Sequence, residues 1–184
     1  KAATDKNVRC VYLTGEGKAF CAGQDLSEAV DNSGPGIERI VREHYNPIIE
    51  KIRGLEKPVV CAVNGVAAGA GANIALACDV VIAGSSVAFI QAFSKIGLIP
   101  DSGGTFFLPR LIGLGKASAL MMLGDKVSAA DAERMGMIYK VVDDATLEQE
   151  ALAIAKTLSE LPTKAIGLTK RLLNQSMFNP LNKQ

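Results

Sequence analysis

Val59-Val-Cys-Ala-Val-Asn-Gly-Val-Ala-Ala-Gly-Ala-Gly-Ala-Asn73 decides the fold. Its first five residues are an unbroken apolar run, the pattern of a strand covered on both faces, as in a parallel sheet. Glycine and alanine then crowd a turn, and the spacing predicts a helix over Ala72–Ala77. Two more apolar runs, Val80–Ala83 and Val87–Ile90, read as strands. Strand, helix, strand at this spacing is the grammar of an α/β fold with right-handed crossovers.

Upstream, Val8–Thr14 reads as a strand, and Gly15, Gly17 and Gly23 mark an irregular loop after it. Residues 31–36 read as a flexible connection. From Ile37 to Ile52 apolar residues recur at helical spacing, and Pro47 is expected to break or kink that helix. Beyond Gly103 the pattern is mainly helical. One helix is predicted over Gly115–Leu123. A second opens at Ser128, an N-cap with Asp131 three residues on, and ends at Met135-Gly136. Ile138–Val142 reads as a last strand. Asp143 and Asp144 then start a long helix over Leu147–Leu158, and Pro162 sits in the first turn of a final helix reaching Ser176. The expectation is a single domain over residues 1–184, with a βα core to residue 142 and a helical region from residue 143.

With 184 residues and 48% hydrophobic content there is material for a substantial core. A formal charge of +1 gives no electrostatic reason to expect nucleic acid or an anionic membrane as partner. No apolar run approaches the ~18 residues that suggest a membrane span. Cys10, Cys21, Cys61 and Cys78 show neither CxxC nor Cys/His metal spacing. Free thiols in a reducing, cytoplasmic compartment are expected. His44 is the single histidine and reads as a surface helix residue, so no metal site is expected.

Three places carry chemistry. At Gly69-Ala-Gly-Ala72, small residues at a helix start let a ligand approach free backbone N–H groups, with Ala70 N–H the chosen donor. Close helix–strand packing without a ligand is the other reading of the same turn, and glycine-rich turns of this kind are common. In Lys18-Ala-Phe-Cys-Ala-Gly-Gln-Asp-Leu26, Ala22 and Gly23 again permit close approach, so the N–H of Gln24 is a second candidate donor. Asp25 there is either a turn residue or part of the site. Lys18 is either a solvated charge or a phosphate contact at the mouth. Asp101 is either the N-cap of a helix through Thr105–Leu108 or a general acid/base, desolvated by Phe89, Phe93, Ile99 and Phe106.

Read in order, these segments resemble the enoyl-CoA hydratase/isomerase (crotonase) superfamily. The likeness is carried by Ala19–Leu26, Lys57–Gly71, Cys78-Asp79, Ile96–Thr105 and Ser128–Ile138, nearly the whole chain. It implies a crotonase-like ββα superhelix with a helical C-terminal part. It also implies a preceding β-hairpin and helix and a further helical tail, neither of which is obvious here. The implied ligand is an acyl-CoA thioester, its carbonyl oxygen held between the N–H groups of Gln24 and Ala70. Lys18, Ala22, Gly23, Asp25, Gly69, Gly71, Asn73 and Phe93 would surround it. No cofactor is implied beyond the coenzyme A of the substrate, and the resemblance implies a homotrimer or a hexamer.

Two positions depart from the hydratase pattern: Asn73 and Phe93 stand where hydratases of the superfamily carry two glutamates. A carboxylate at Asp101 instead resembles the isomerase branches, and the segments 65–72 and 92–101 are similar to those of the branch acting on the ring epoxide of phenylacetyl-CoA. The dehalogenase branch shares that aspartate, but its histidine position is Asn46 here. The reading is an acyl-CoA isomerase of phenylacetate or fatty-acid degradation. The alternatives are an enoyl-CoA hydratase and a non-catalytic acyl-CoA-binding or scaffold protein.

Overall fold

All five residues of strand β2 (Val59–Val63) are buried, and the architecture is built around it. In the computed structural model, which describes residues 1–25 and 34–184, β2 pairs in parallel with β1 (Val11–Thr14) and with β4 (Val80–Gly84). Strand β7 (Lys140–Val142) adds in parallel to β4, giving the order β1-β2-β4-β7. Strand β1 begins at Val11 rather than at Val8 because its first partner is Val59, the first residue of β2. The pleat sends Val59, Cys61, Val63, Val81 and Ala83 to one face of this sheet and Val60, Ala62 and Ile82 to the other. Burying each such valine or isoleucine contributes about 1.5–3 kcal/mol, so register and burial reinforce each other.

A second, smaller sheet joins β3 (Ala67–Ala68), β5 (Ala88–Ile90) and β6 (Lys126–Ser128). Strand β5 is parallel to β3 and antiparallel to β6. Neither β3 nor β6 was expected: two or three residues are too few to show a period of two.

Helix α1 covers residues 37–54, and Pro47 does not break it. The stretch Ile37–Ile40 is α-helical, Val41–Tyr45 widens into a π turn, and Asn46–Gly54 is α-helical again. The N–H of Asn46 donates to the carbonyl of Val41, five residues back. The wide turn lies just before the proline, where a ring without N–H disturbs the ordinary ladder. His44 is an exposed residue of this turn, as expected.

Helix α2 (Ala70–Leu76) begins two residues earlier than predicted. Helices α3 (Gly104–Ile112) and α4 (Leu114–Leu123) follow. At the start of α5 (Ala129–Arg134), Asp131 N–H donates to Ser128 Oγ at 3.1 Å, while the Ser128 hydroxyl donates to Asp131 Oδ2 at 2.8 Å. The N-cap is as predicted, but the shorter acid returns to the hydroxyl and not to the backbone. Helix α6 (Leu147–Glu160) lays Leu147 and Ala151 on the Val60 face of the sheet. Pro162 stands just outside α7 (Thr163–Ser176), its carbonyl accepting the N–H of Ile166.

Helix α7 is tied to the sheet by Lys170, whose side chain is only 5% exposed. Its ammonium donates to the carbonyls of Ile52 and Lys57 and to Asp79 Oδ2 at 2.7 Å. Asp79 in turn accepts the N–H of Val59 at the start of β2. Leu26 and residues 31–33 of the expected connection lie outside the described residues. Among the described residues, no helix is long and apolar enough to cross a membrane.

Candidate active site

The loop after β1 is laid against the β2–α2 connection by main-chain bonds. The N–H groups of Phe20 and Cys21 donate to the carbonyl of Val66, and Ala68 N–H donates to the carbonyl of Cys21 at 2.9 Å. Two glycines make room for this contact. A Cβ on Gly65 would fall 2.2 Å from the carbonyl oxygen of Lys18, and one on Gly71 would fall 2.2 Å from that of Cys21. Two other glycines face a cavity. Gly69 has φ 53°, and Gly23, with φ 92°, leaves only 3.3 Å between its absent Cβ and the nitrogen of Ala70. Gly65 and Gly71 thus serve packing between the two segments, while Gly23 and Gly69 line the cavity.

The cavity is about 130 Å³, lined by Ala22, Gly23 and Gln24 from the loop after β1, by Gly69 and Ala70 at the start of α2, and by Phe93 and Asp101. The first bond of the α2 ladder runs from Asn73 N–H to the carbonyl of Gly69. The N–H of Ala70 therefore stands outside that ladder, at the cavity wall. Ile37, Ala92, Ile96 and Leu98 complete the lining. These four were not singled out in the sequence, where an apolar wall residue has the same signature as a core residue. Asp101 is the only ionisable side chain among the described residues that line the cavity.

Asp101 also borders a larger space of about 430 Å³, lined by Val41, Asn46, Ile99, Pro100 and parts of the same wall. It thus stands between the glycine-lined recess and a wider apolar chamber. It does not cap α3. Gly103 occupies the N-cap position, and the Asp101 main-chain oxygen accepts the N–H of Gly104. The carboxylate instead accepts the Ser102 hydroxyl on Oδ1 at 2.8 Å. Burial pushes the Asp101 carboxyl above its ordinary range, and the Ser102 hydroxyl pulls partly the other way.

The remaining candidates stand away from the cavity lining. Asn73 is fully buried, its Nδ2 donating to the main-chain oxygen of Asp101 at 2.9 Å and its Oδ1 accepting Gln91 Nε2 at 2.8 Å. Gly71 packs on Cys21. Lys18 and Asp25 are exposed and do not line the cavity. Cys61 and Cys78 are buried free thiols and Cys10 is half-buried, in keeping with their apolar surroundings.

Comparison with known proteins agrees with this geometry. The family model for enoyl-CoA hydratase/isomerase matches residues 1–184. The chain is 49% identical over 183 residues to the 1,2-epoxyphenylacetyl-CoA isomerase of Escherichia coli, covering 98% of this chain and 70% of that protein. It is 38% identical over 175 residues to the short-chain-enoyl-CoA hydratase of Clostridium acetobutylicum, covering 94% and 66% respectively. The crystal structure of an enoyl-CoA hydratase from a Polaromonas species superposes with a TM-score of 0.92 at 37% identity, covering 99% of this chain and 72% of that one. With its parallel sheet and its glycine-lined recess, the chain belongs to the enoyl-CoA hydratase/isomerase (crotonase) family and is an enzyme of that family.

Proposed function

We propose that this enzyme is an acyl-CoA isomerase in which Asp101 carries the proton and the N–H groups of Gln24 and Ala70 hold the thioester oxygen. The observation that carries this reading is that Asp101, the one ionisable group among the described lining residues, shares the cavity with Gln24 and Ala70. An acyl-CoA thioester placed with its carbonyl in the recess presents its α-carbon to the carboxylate. Asp101 takes the α-proton and the electron pair moves onto the thioester oxygen. Each well-placed N–H donor stabilises that oxyanion by roughly 3–4 kcal/mol in the transition state. Returning the same proton to another carbon moves the double bond, so substrate and product have the same atoms. Opening of a ring epoxide with expansion to an oxepin is likewise atom-neutral and uses the same oxyanion site.

The ring-epoxide substrate, and with it a place in phenylacetate degradation, is supported by the 49% identity to the Escherichia coli isomerase. Water addition is disfavoured because it needs a base for water and an acid for carbon. Among the described cavity-lining residues there is one carboxylate, and Phe93 is apolar. No cofactor enters this chemistry beyond the coenzyme A of the substrate.

The test compares wild type with Asp101→Asn on ring-epoxide phenylacetyl-CoA and on 3-enoyl-CoA, with crotonyl-CoA as the hydration control. Turnover lost in the variant with binding retained is expected, and the preferred substrate assigns the branch. Equal turnover in both proteins, or hydration as the dominant activity, overturns the reading.

A further inference from the structure

Among the described residues ten have positive φ, and nine of them are glycine. The tenth is Ser102, at φ 50°. A side chain there costs energy that glycine would not, and sites that keep such a cost are often ones where the side chain has work to do. Ser102 is only 1% exposed, so its hydroxyl has to find a partner inside the protein, and that partner is Asp101 Oδ1 at 2.8 Å. The main-chain oxygen of Asp101 is already fixed by Asn73. Backbone and carboxylate are thus held by different residues, and among the described residues none clamps Oδ2 in the same way.

Resting on the proposed isomerase reading, we propose that Ser102 is a positioning residue that holds Oδ1 of Asp101 and turns Oδ2 toward the substrate as the proton-carrying oxygen. The left-handed backbone at Ser102 is what brings its hydroxyl back onto the preceding residue. A donor on Oδ1 favours the ionised form, which is the form that must accept the first proton. No nearby charge is needed for this. Among the described residues, the charged ones bordering the wider chamber besides Asp101 are Glu38 and Arg42, both on α1, mostly exposed and paired with each other at 3.3 Å.

Ser102→Gly separates this role from a merely structural one, because glycine relieves the backbone cost while removing the hydroxyl. A structural serine predicts full turnover in Ser102→Gly. A positioning serine predicts kcat lowered roughly tenfold or more with KM little changed, and the acid limb of the kcat profile moved to higher pH. Asp101→Asn is run in parallel. If Asp101→Asn is dead while Ser102→Gly keeps both kcat and its acid limb, the Ser102 role is wrong and the isomerase reading stands. If Asp101→Asn keeps full turnover, the isomerase reading fails. A substrate-free readout then decides the Ser102 contact on its own. The 13C-labelled Asp101 carboxyl, assigned by its loss in Asp101→Asn, should titrate at higher pH in Ser102→Gly, and an unchanged titration overturns the inference.

Discussion

The Asn73 amide donates to the main-chain oxygen of Asp101 across 2.9 Å, although the two residues belong to different segments of the wall. Asn73 sits on α2, whose first residue lines the recess, and Asp101 opens the turn into α3. One hydrogen bond therefore ties the helix that begins with Ala70 to the segment that carries Asp101. Gln91 completes the arrangement by donating to Asn73 Oδ1, so the amide cannot turn over without losing both bonds.

Replacing Asn73 with alanine should thus affect stability and turnover together. It leaves the Gln91 amide unpaired in a buried place, costing about 1–3 kcal/mol, and takes from the Asp101 oxygen one of its two hydrogen bonds, the Gly104 N–H supplying the other. Urea denaturation should show a lower midpoint with an unchanged slope, and kcat should fall. Asn73→Asp is more informative. Its buried carboxyl should have a raised pKa, so the stability it contributes is present below the unfolded pKa and lost as pH rises through the folded value. The gap between this variant and wild type should widen from acid to neutral pH, and a pH-independent gap would refute the placement of Asn73.

Asp101 itself is expected to cost the fold stability at neutral pH. Burial raises its folded pKa above 3.8, so its favourable contribution is complete below the unfolded pKa and disappears as pH rises through the folded one. Asp101→Asn removes that loss and keeps an acceptor for Ser102. Thermal melts should therefore find the variant more stable than wild type near pH 7, with the difference closing toward pH ~3. Enzymatic activity should move the other way. In the proposed role Asp101 accepts a proton in its ionised form, so turnover should fall as pH drops through an apparent pKa above the ordinary carboxylate range.

Much of the parallel sheet was legible because its strands are buried on both faces and read as plain apolar runs, Val59–Val63 above all. The recess was legible for a different reason: small residues at Gly23, Gly69 and Ala70 mark places where a main chain is approached closely. What the chain did not reveal depends on contacts distant in sequence. Gly65 and Gly71 look like Gly69 in a sequence, yet they serve the packing of Lys18 and Cys21. Asn73 was placed at the site by family resemblance, and only the fold turns its side chain onto the Asp101 backbone. Pro47 signals a break by local rules, and the π turn that absorbs it has no signature of its own.

Lys170 offers a test of how α7 is held. Its side chain is 5% exposed and meets Asp79, itself shared with Arg53 and with the N–H of Val59. Lys170→Met keeps the apolar stem and deletes the ammonium, leaving the carbonyls of Ile52 and Lys57 without that donor. Breaking a buried pair from one side costs about 3–5 kcal/mol. Arg53 still pairs with Asp79 in this variant, so chemical denaturation should show a loss below that figure, and amide exchange should show α7 opening before the central strands. Turnover of the folded fraction should be little changed, because no part of this cluster borders the cavity beside Asp101.

Gly71→Ala tests whether the recess depends on the fit between its two segments. Gly71 lies inside α2, where alanine ordinarily favours a helix by about 1 kcal/mol over glycine. Here the added Cβ would stand 2.2 Å from the Cys21 carbonyl oxygen and 2.7 Å from the Cys21 Cβ. Main chain cannot rotate out of the way, so the loop carrying Ala22, Gly23 and Gln24 has to move outward. That displacement breaks the bond from Ala68 N–H to the Cys21 carbonyl and separates Gln24 from Ala70. The variant should melt lower than wild type despite its better helix propensity, with kcat/KM reduced by roughly tenfold or more if one oxyanion donor is lost. A variant with raised melting temperature and full turnover would mean that the recess tolerates separation of its walls, and that Gln24 is not one of the donors.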